Sequence, residues 1–151
     1  MIEEAIFVET SAFLKFFIEG VSVFEKIEKY ELYTSTNVIE EVCYVLLKEK
    51  AQKILKEDRH YAVLTFLRKN QSFVIELSKE IIEDIETLLN ALNIKVLTSP
   101  PKEIMYEIIV KYGLLPNDAL IVATCKYYDI RKIATFDEDF EKVDFVEVVK
   151  V

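Results

Sequence analysis

Ala5-Ile6-Phe7-Val8-Glu9-Thr10-Ser11-Ala12-Phe13-Leu14 decides how this chain folds. Ile2–Val8 reads as a first strand, and Glu9 ends its apolar run. Thr10-Ser11 then cap a helix through Phe17, with either hydroxyl accepting from free backbone N–H groups. Gly20 closes the unit. A strand that feeds straight into a helix is the start of a β–α alternation.

The alternation continues down the chain. Val23, Phe24 and Ile27, spaced three to four apart, mark a second short helix, and Glu31–Tyr33 a short strand. Thr36 or Asn37 caps a helix to about Leu55, with Ile39, Val42, Cys43, Leu46 and Leu47 on its apolar face. His60–Leu67 is another helix. Ser72–Leu77 is apolar and β-branched and reads as extended, and Ser78 opens a long helix lined by Ile81, Ile82, Ile85, Leu88, Leu89 and Leu92. Ile94–Leu97 is a compact strand. Pro100-Pro101 admit a helix that Gly113 stops, and Pro116-Asn117-Asp118 opens the next. Lys132–Phe136 and Phe145–Val149 are strands, the last at an edge. This order predicts one α/β domain over residues 1–151: a three-layer sandwich, with a mostly parallel central sheet, helices on both faces and right-handed crossovers.

Composition narrows the class. The 151 residues are 52% hydrophobic and 30% charged, which suits a globular chain. Only 2 Gly and 3 Pro occur, so loops are expected to be short. The two cysteines, Cys43 and Cys125, lie inside apolar helical stretches and read as reduced core thiols. The N-terminus lacks a basic leader, and no apolar run approaches the ~18 residues that span a bilayer, so a cytoplasmic protein with no membrane partner is expected. The net charge of −8 argues against a simple nucleic-acid-binding module, which needs a basic stripe. It does not argue against an enzyme whose bound cations reverse the local field.

Scattered carboxylates supply the chemistry. Glu9 and Asp137 are each the first acidic group after a strand, Asp118 stands near a helix start and Glu41 lies on a helix. Parallel sheets bind ligands beyond the carboxyl ends of their strands, so neighbouring first and fourth strands would place Glu9 and Asp137 in one crevice. Converging carboxylates, with a single histidine and no cysteine cluster, suit a hard cation such as Mg²⁺ or Mn²⁺. Metal-assisted phosphodiester hydrolysis is the leading reading.

Four blocks in order resemble the PIN domain, and among its members the VapC-type toxins of archaea and bacteria. They are Phe7-Val8-Glu9-Thr10-Ser11-Ala12, Thr34-Ser35 with Glu41-Val42, Leu115-Pro116-Asn117-Asp118-Ala119, and Ala134-Thr135-Phe136-Asp137-Glu138-Asp139-Phe140. The resemblance implies a Mg²⁺- or Mn²⁺-dependent endoribonuclease, the toxin of a type II toxin–antitoxin pair. Its partners would be an RNA substrate, an antitoxin protein and a second copy of the chain, with helices near the N-terminus offering apolar surface for a homodimer. Glu9, Glu41, Asp118 and Asp137 become the catalytic, metal-holding set. Ser11 and Thr135 become hydroxyls that orient carboxylates or water, and Asp139 an additional outer carboxylate. Glu41 is preferred to Glu40 by its spacing from Ser35. The family usually has aspartate at the position of Glu9; the added methylene shifts the carboxylate, and ~1 Å of misplacement can cost on the order of a hundredfold in rate.

Blander readings stand beside these. A helical glutamate is ordinarily solvated surface, Asp118 also suits a helix dipole, and Asp137 and Asp139 also suit turns. Glu9 is an alternative helix cap. Asn117 already offers a cap to its helix. Lone His60, beside charged Asp58-Arg59 and far from the acidic blocks, argues against a Ser-His-Asp hydrolase. Phe13, Phe16, Phe17, Tyr30 and Tyr33 read as core or dimer surface, since base stacking needs exposed rings. Lys48, Lys50, Lys53 and Lys56 read as a solvated helix face. The main rival is a catalytically weakened or silent PIN-like module that binds RNA or protein. A receiver domain would need an aspartate where Thr98-Ser99 follows Ile94–Leu97, and a dinucleotide enzyme a Gly-rich turn where Glu9-Thr10-Ser11 stands.

Overall fold

A computed structural model describes residues 3–151. The chain runs β1 (Ala5–Val8), α1 (Thr10–Glu19), β2 (Glu31–Ser35), α2 (Thr36–Leu55), α3 (His60–Lys69), α4 (Gln71–Ala91), β3 (Lys95–Leu97), α5 (Lys102–Tyr112), α6 (Pro116–Tyr127), β4 (Lys132–Ala134) and β5 (Glu147–Val149). Short 3₁₀ turns occupy Phe24–Lys26 and Glu138–Lys142. The five strands lie in the order β3-β2-β1-β4-β5, and each neighbouring pair is parallel.

Consecutive strand residues point to opposite sides of a sheet. Ile6, Phe7 and Val8 are nevertheless all fully buried, as are Ile133 and Ala134. Both faces at the centre of the sheet are therefore covered, which makes the chain a three-layer α/β sandwich. Phe7, Phe13, Ile121, Ile133 and Phe140 are among its largest buried side chains. After β1 the chain builds outward through β2 and β3, then returns to add β4 on the other side of β1. The β1–β4 junction is thus the point where connections diverge, and a crevice opens beyond the carboxyl ends of those two strands.

Several local expectations change. Ser72–Leu77 is not extended: it is the first part of α4, and Ser78 lies inside that helix rather than capping it. The buried stripe of Leu77, Ile81, Ile85, Leu88 and Leu89 recurs every three to four residues, and this outweighs the small helix penalty of β-branched Val74 and Ile75. The cap of α1 is Glu9 itself, whose side chain accepts from the Ser11 N–H. α6 begins after Leu115 with no side-chain cap, so Asn117 is free for another partner. The Val23–Ile27 helix is only the 3₁₀ turn. The first strand begins at Ala5, with Ile2 outside the described residues. β4 stops at Ala134 because the next backbone N–H groups turn away to hydroxyls: that of Phe136 donates to Ser11 Oγ and that of Asp137 to Thr135 Oγ1. Both cysteines are free; Cys125 is buried and Cys43 partly so. Among the described residues no single helix is long and apolar enough to cross a membrane.

The helical reading of residues 71–91 makes a prediction. In a strand, Ile75 and Leu77 would share a buried face; in α4, Ile75 is 52% exposed while Ile81 is buried. Ile81→Ala should cost about 2–5 kcal/mol and Ile75→Ala less than about 1 kcal/mol, read from urea midpoints. Equal losses would contradict the helix.

Candidate metal centre

The pairing of β1 with β4 aligns Val8 with Ala134, and the Glu9 N–H donates to the Ala134 carbonyl at 3.1 Å. Glu9 and Thr135 therefore leave their strands side by side. Glu9 is only 6% exposed. Its carboxylate accepts from the Ser11 N–H at 3.1 Å, from Ser11 Oγ at 2.7 Å and from Thr135 Oγ1. Each hydroxyl has one proton, and both protons go to Glu9. Their lone pairs then accept from the N–H groups of Phe136 and Asp137, at 2.8 and 2.9 Å. One network fixes the ends of both strands. Burial raises the pKa of Glu9, the donors from Ser11 and Thr135 oppose that rise without cancelling it, and Asp137 adds to it.

Glu41 is placed by a different set. Its Oε2 accepts from Thr10 Oγ1 at 3.0 Å and from Asn117 Nδ2 at 2.7 Å. Asn117 in turn accepts from Asn37, which accepts from Ser35 Oγ. A polar chain from the end of β2 to the start of α6 thus holds Glu41 at the crevice, while Glu40 is exposed. Thr10 and Asn117, read from sequence as helix caps, instead orient this carboxylate. No one-dimensional signal marks them for that role, because their partner lies 31 and 76 residues away.

Asp118, Asp137 and Asp139 come closest together: each offers one carboxylate oxygen, and those oxygens all lie within 4.8 Å of one another. Asp139 therefore belongs with the inner group and not outside it. Its backbone N–H donates to Asp137 Oδ1 at 2.9 Å, a turn that folds the second carboxylate back toward the first. Asp118, in the first turn of α6, should have a lowered pKa from the helix dipole. Burial, followed by repulsion from Asp137, Glu9, Glu41 and Asp139, instead pushes it up to about 6. All seven residues read from sequence thus belong to one neighbourhood, with three aspartates at its centre and both glutamates held by hydroxyl and amide donors.

The donor set fits a hard divalent cation. It offers oxygen ligands only, carries excess negative charge and is partly exposed to solvent. Oxygens sharing one Mg²⁺ at ~2.1 Å lie within about 4.2 Å of each other, so small rotamer changes would close the three aspartates on an ion.

Burial and repulsion together also fix a pH dependence. A carboxyl whose folded pKa is raised binds protons more tightly in the folded chain than in the unfolded one. Its contribution to stability is present below the unfolded value of 3.8 and is lost as pH rises through about 6. In chelator, Asp118→Asn should therefore raise the melting temperature relative to wild type at pH 7.5 and give a smaller difference at pH 4. A gap independent of pH would contradict this electrostatic account.

Comparison with known proteins agrees with the geometry. Residues 6–146 match the PIN domain. Ribonuclease VapC2 of Methanocaldococcus jannaschii is 36% identical over 136 residues, which cover 89% of this chain and 83% of that protein. Ribonuclease VapC6 of the same organism is 45% identical over 86 residues, 56% of each chain. The crystal structure of VapBC2 from Rickettsia felis, bound to a DNA fragment from its promoter, shares the fold with a TM-score of 0.61 at 14% identity, covering 97% of this chain and 98% of that one. A parallel sheet with acidic side chains gathered at its β1–β4 switch point, a match across nearly the whole sequence and this ribonuclease relative establish that the chain belongs to the PIN domain family.

Proposed function

We propose that the protein is a metal-dependent endoribonuclease of the VapC type, the toxin of a type II toxin–antitoxin pair. The observation that carries this reading is the convergence of Asp118, Asp137 and Asp139 within 4.8 Å at the sheet switch point. The relatives named Ribonuclease VapC2 and VapC6 support RNA as the substrate. Asp118, Asp137 and Asp139 would hold Mg²⁺ or Mn²⁺, with Glu9 and Glu41 completing the acidic wall. A divalent cation bound there supplies Lewis acidity toward a phosphoryl oxygen and lowers the pKa of a water.

The remaining work falls to the chain. Ser11 and Thr135 hold Glu9 in one rotamer, so its negative charge faces the site without reorganising. Thr10 and Asn117 do the same for Glu41, which is positioned to accept hydrogen bonds from a water. The carboxylates repel RNA while they are uncompensated, so substrate binding follows neutralisation of the pocket. The reading includes an antitoxin that covers the site, a cytoplasmic location and a homodimer. Among the described residues the aliphatic side chains most exposed for a dimer are Val110 at 86% and Leu115 at 75%, at the α5–α6 corner. In the N-terminal helix Phe16 and Phe17 are partly buried against the core and Ile18 is exposed.

Glu9 favours a second reading, in which the site is silent and the fold binds RNA or protein without cutting. The two readings separate on one set of reactions with structured RNAs and Mn²⁺. The enzyme account expects wild-type cleavage that a chelator abolishes and that Asp118→Asn lowers at least ~100-fold. It also expects Glu9→Asp to lower kcat, because the shortened side chain retracts from Ser11 Oγ and Thr135 Oγ1. The silent account expects no wild-type cleavage and a gain of activity in Glu9→Asp. Cleavage that survives both chelation and Asp118→Asn would contradict the proposal.

A further inference from the structure

Between buried Thr135 and buried Phe140, the phenyl ring of Phe136 is left 40% exposed. Such a ring forgoes the apolar burial that places most phenylalanines inside. It is not loosely held. Its backbone N–H donates to the same Ser11 Oγ that donates to Glu9. The Lys15 ammonium stands 5.3 Å from the ring centroid, a cation–π distance. The ring also walls a cavity of about 320 Å³ that borders Asp137 and is completed by Lys26, Glu138, Glu141, Val148 and Lys150.

An exposed aromatic ring with an ammonium group against it, in a cavity that also offers two lysines and acceptor carboxylates, is chemistry that can receive a base of single-stranded nucleic acid. Stacking uses the face of the ring, the lysines attract the neighbouring phosphate, and Glu138 and Glu141 accept from base N–H groups. In the lining of this cavity Lys26 and Lys150 offset part of the charge of Asp137, Glu138 and Glu141. The aromatic residues weighed for stacking in the sequence do not compete: Phe13 is buried, and Phe16, Phe17, Tyr30 and Tyr33 are partly buried against the core.

We propose that Phe136 is a stacking platform for the base of a nucleotide adjoining the phosphate that a cation held by Asp118, Asp137 and Asp139 would bind. The platform fixes which linkage of the RNA enters the acidic site. This rests on the ribonuclease reading, and the test separates the two. Single-stranded RNAs carrying 2-aminopurine at successive positions are incubated with wild type, Phe136→Leu and Phe136→Tyr in Mn²⁺, and cleavage kinetics and fluorescence are followed.

Phe136→Leu should raise KM by roughly 5- to 150-fold with kcat within about twofold, the range that loss of one base–aromatic stack supplies. It should abolish the fluorescence quenching seen at one position with wild type, and Phe136→Tyr should retain both affinity and quenching. A wild-type protein that neither binds nor cuts RNA overturns the ribonuclease reading and the platform with it. Wild-type cleavage with KM and quenching unchanged in Phe136→Leu overturns the platform alone. So does a loss confined to kcat, or a loss shared by Phe136→Tyr.

Discussion

Glu9 and Thr135 are separated by 126 residues, yet they share a hydrogen bond inside the protein. That contact exists because β1 and β4 lie side by side, and the rest of the site depends on it. The two strands must be neighbours for Ser11 and Thr135 to give both hydroxyl protons to one carboxylate. Their lone pairs must then bind the N–H groups of Phe136 and Asp137 for the chain to leave β4 in the right direction. If the network were broken, Asp137 and Asp139 would lose the turn that aims them at Asp118.

The arrangement sets two electrostatic demands against each other. Gathering acidic side chains in a partly enclosed crevice is unfavourable, and burial together with their mutual repulsion raises the pKa of Asp118. The fold tolerates it because the buried Glu9 accepts from Ser11 and Thr135, Glu41 is held by Thr10 and Asn117, and the aspartates keep access to solvent. A bound cation would relieve that cost. A pocket that is costly when empty and stabilised when filled would couple metal affinity to the stability of the fold at the ends of β1 and β4.

Much of this was legible in the sequence, for identifiable reasons. The apolar run at Ala5–Val8 and the turn chemistry at Thr10-Ser11, Gly20, Gly113 and Pro116 marked the alternation of strands and helices, and with it the parallel sheet. Glu9, Asp118 and Asp137 stood out because each follows or opens such an element. Ser72–Leu77 misled because its β-branched residues suggest a strand, while the stripe that decides the matter, Leu77 to Leu89, needs a longer window to be seen. Asp139 looked peripheral because a turn residue two positions beyond Asp137 gives no sign of which way its side chain folds. The roles of Asn117 and Thr10 depend on Glu41 arriving from another helix, which is tertiary information.

The central claim is that Asp118, Asp137 and Asp139 jointly hold one divalent cation at the β1–β4 switch point. Anomalous diffraction from a crystal of this protein soaked in Mn²⁺ tests it most directly. The account predicts a peak at about 2.2 Å from an oxygen of each of the three aspartates. A peak elsewhere, or none at that position despite saturating Mn²⁺, would contradict it.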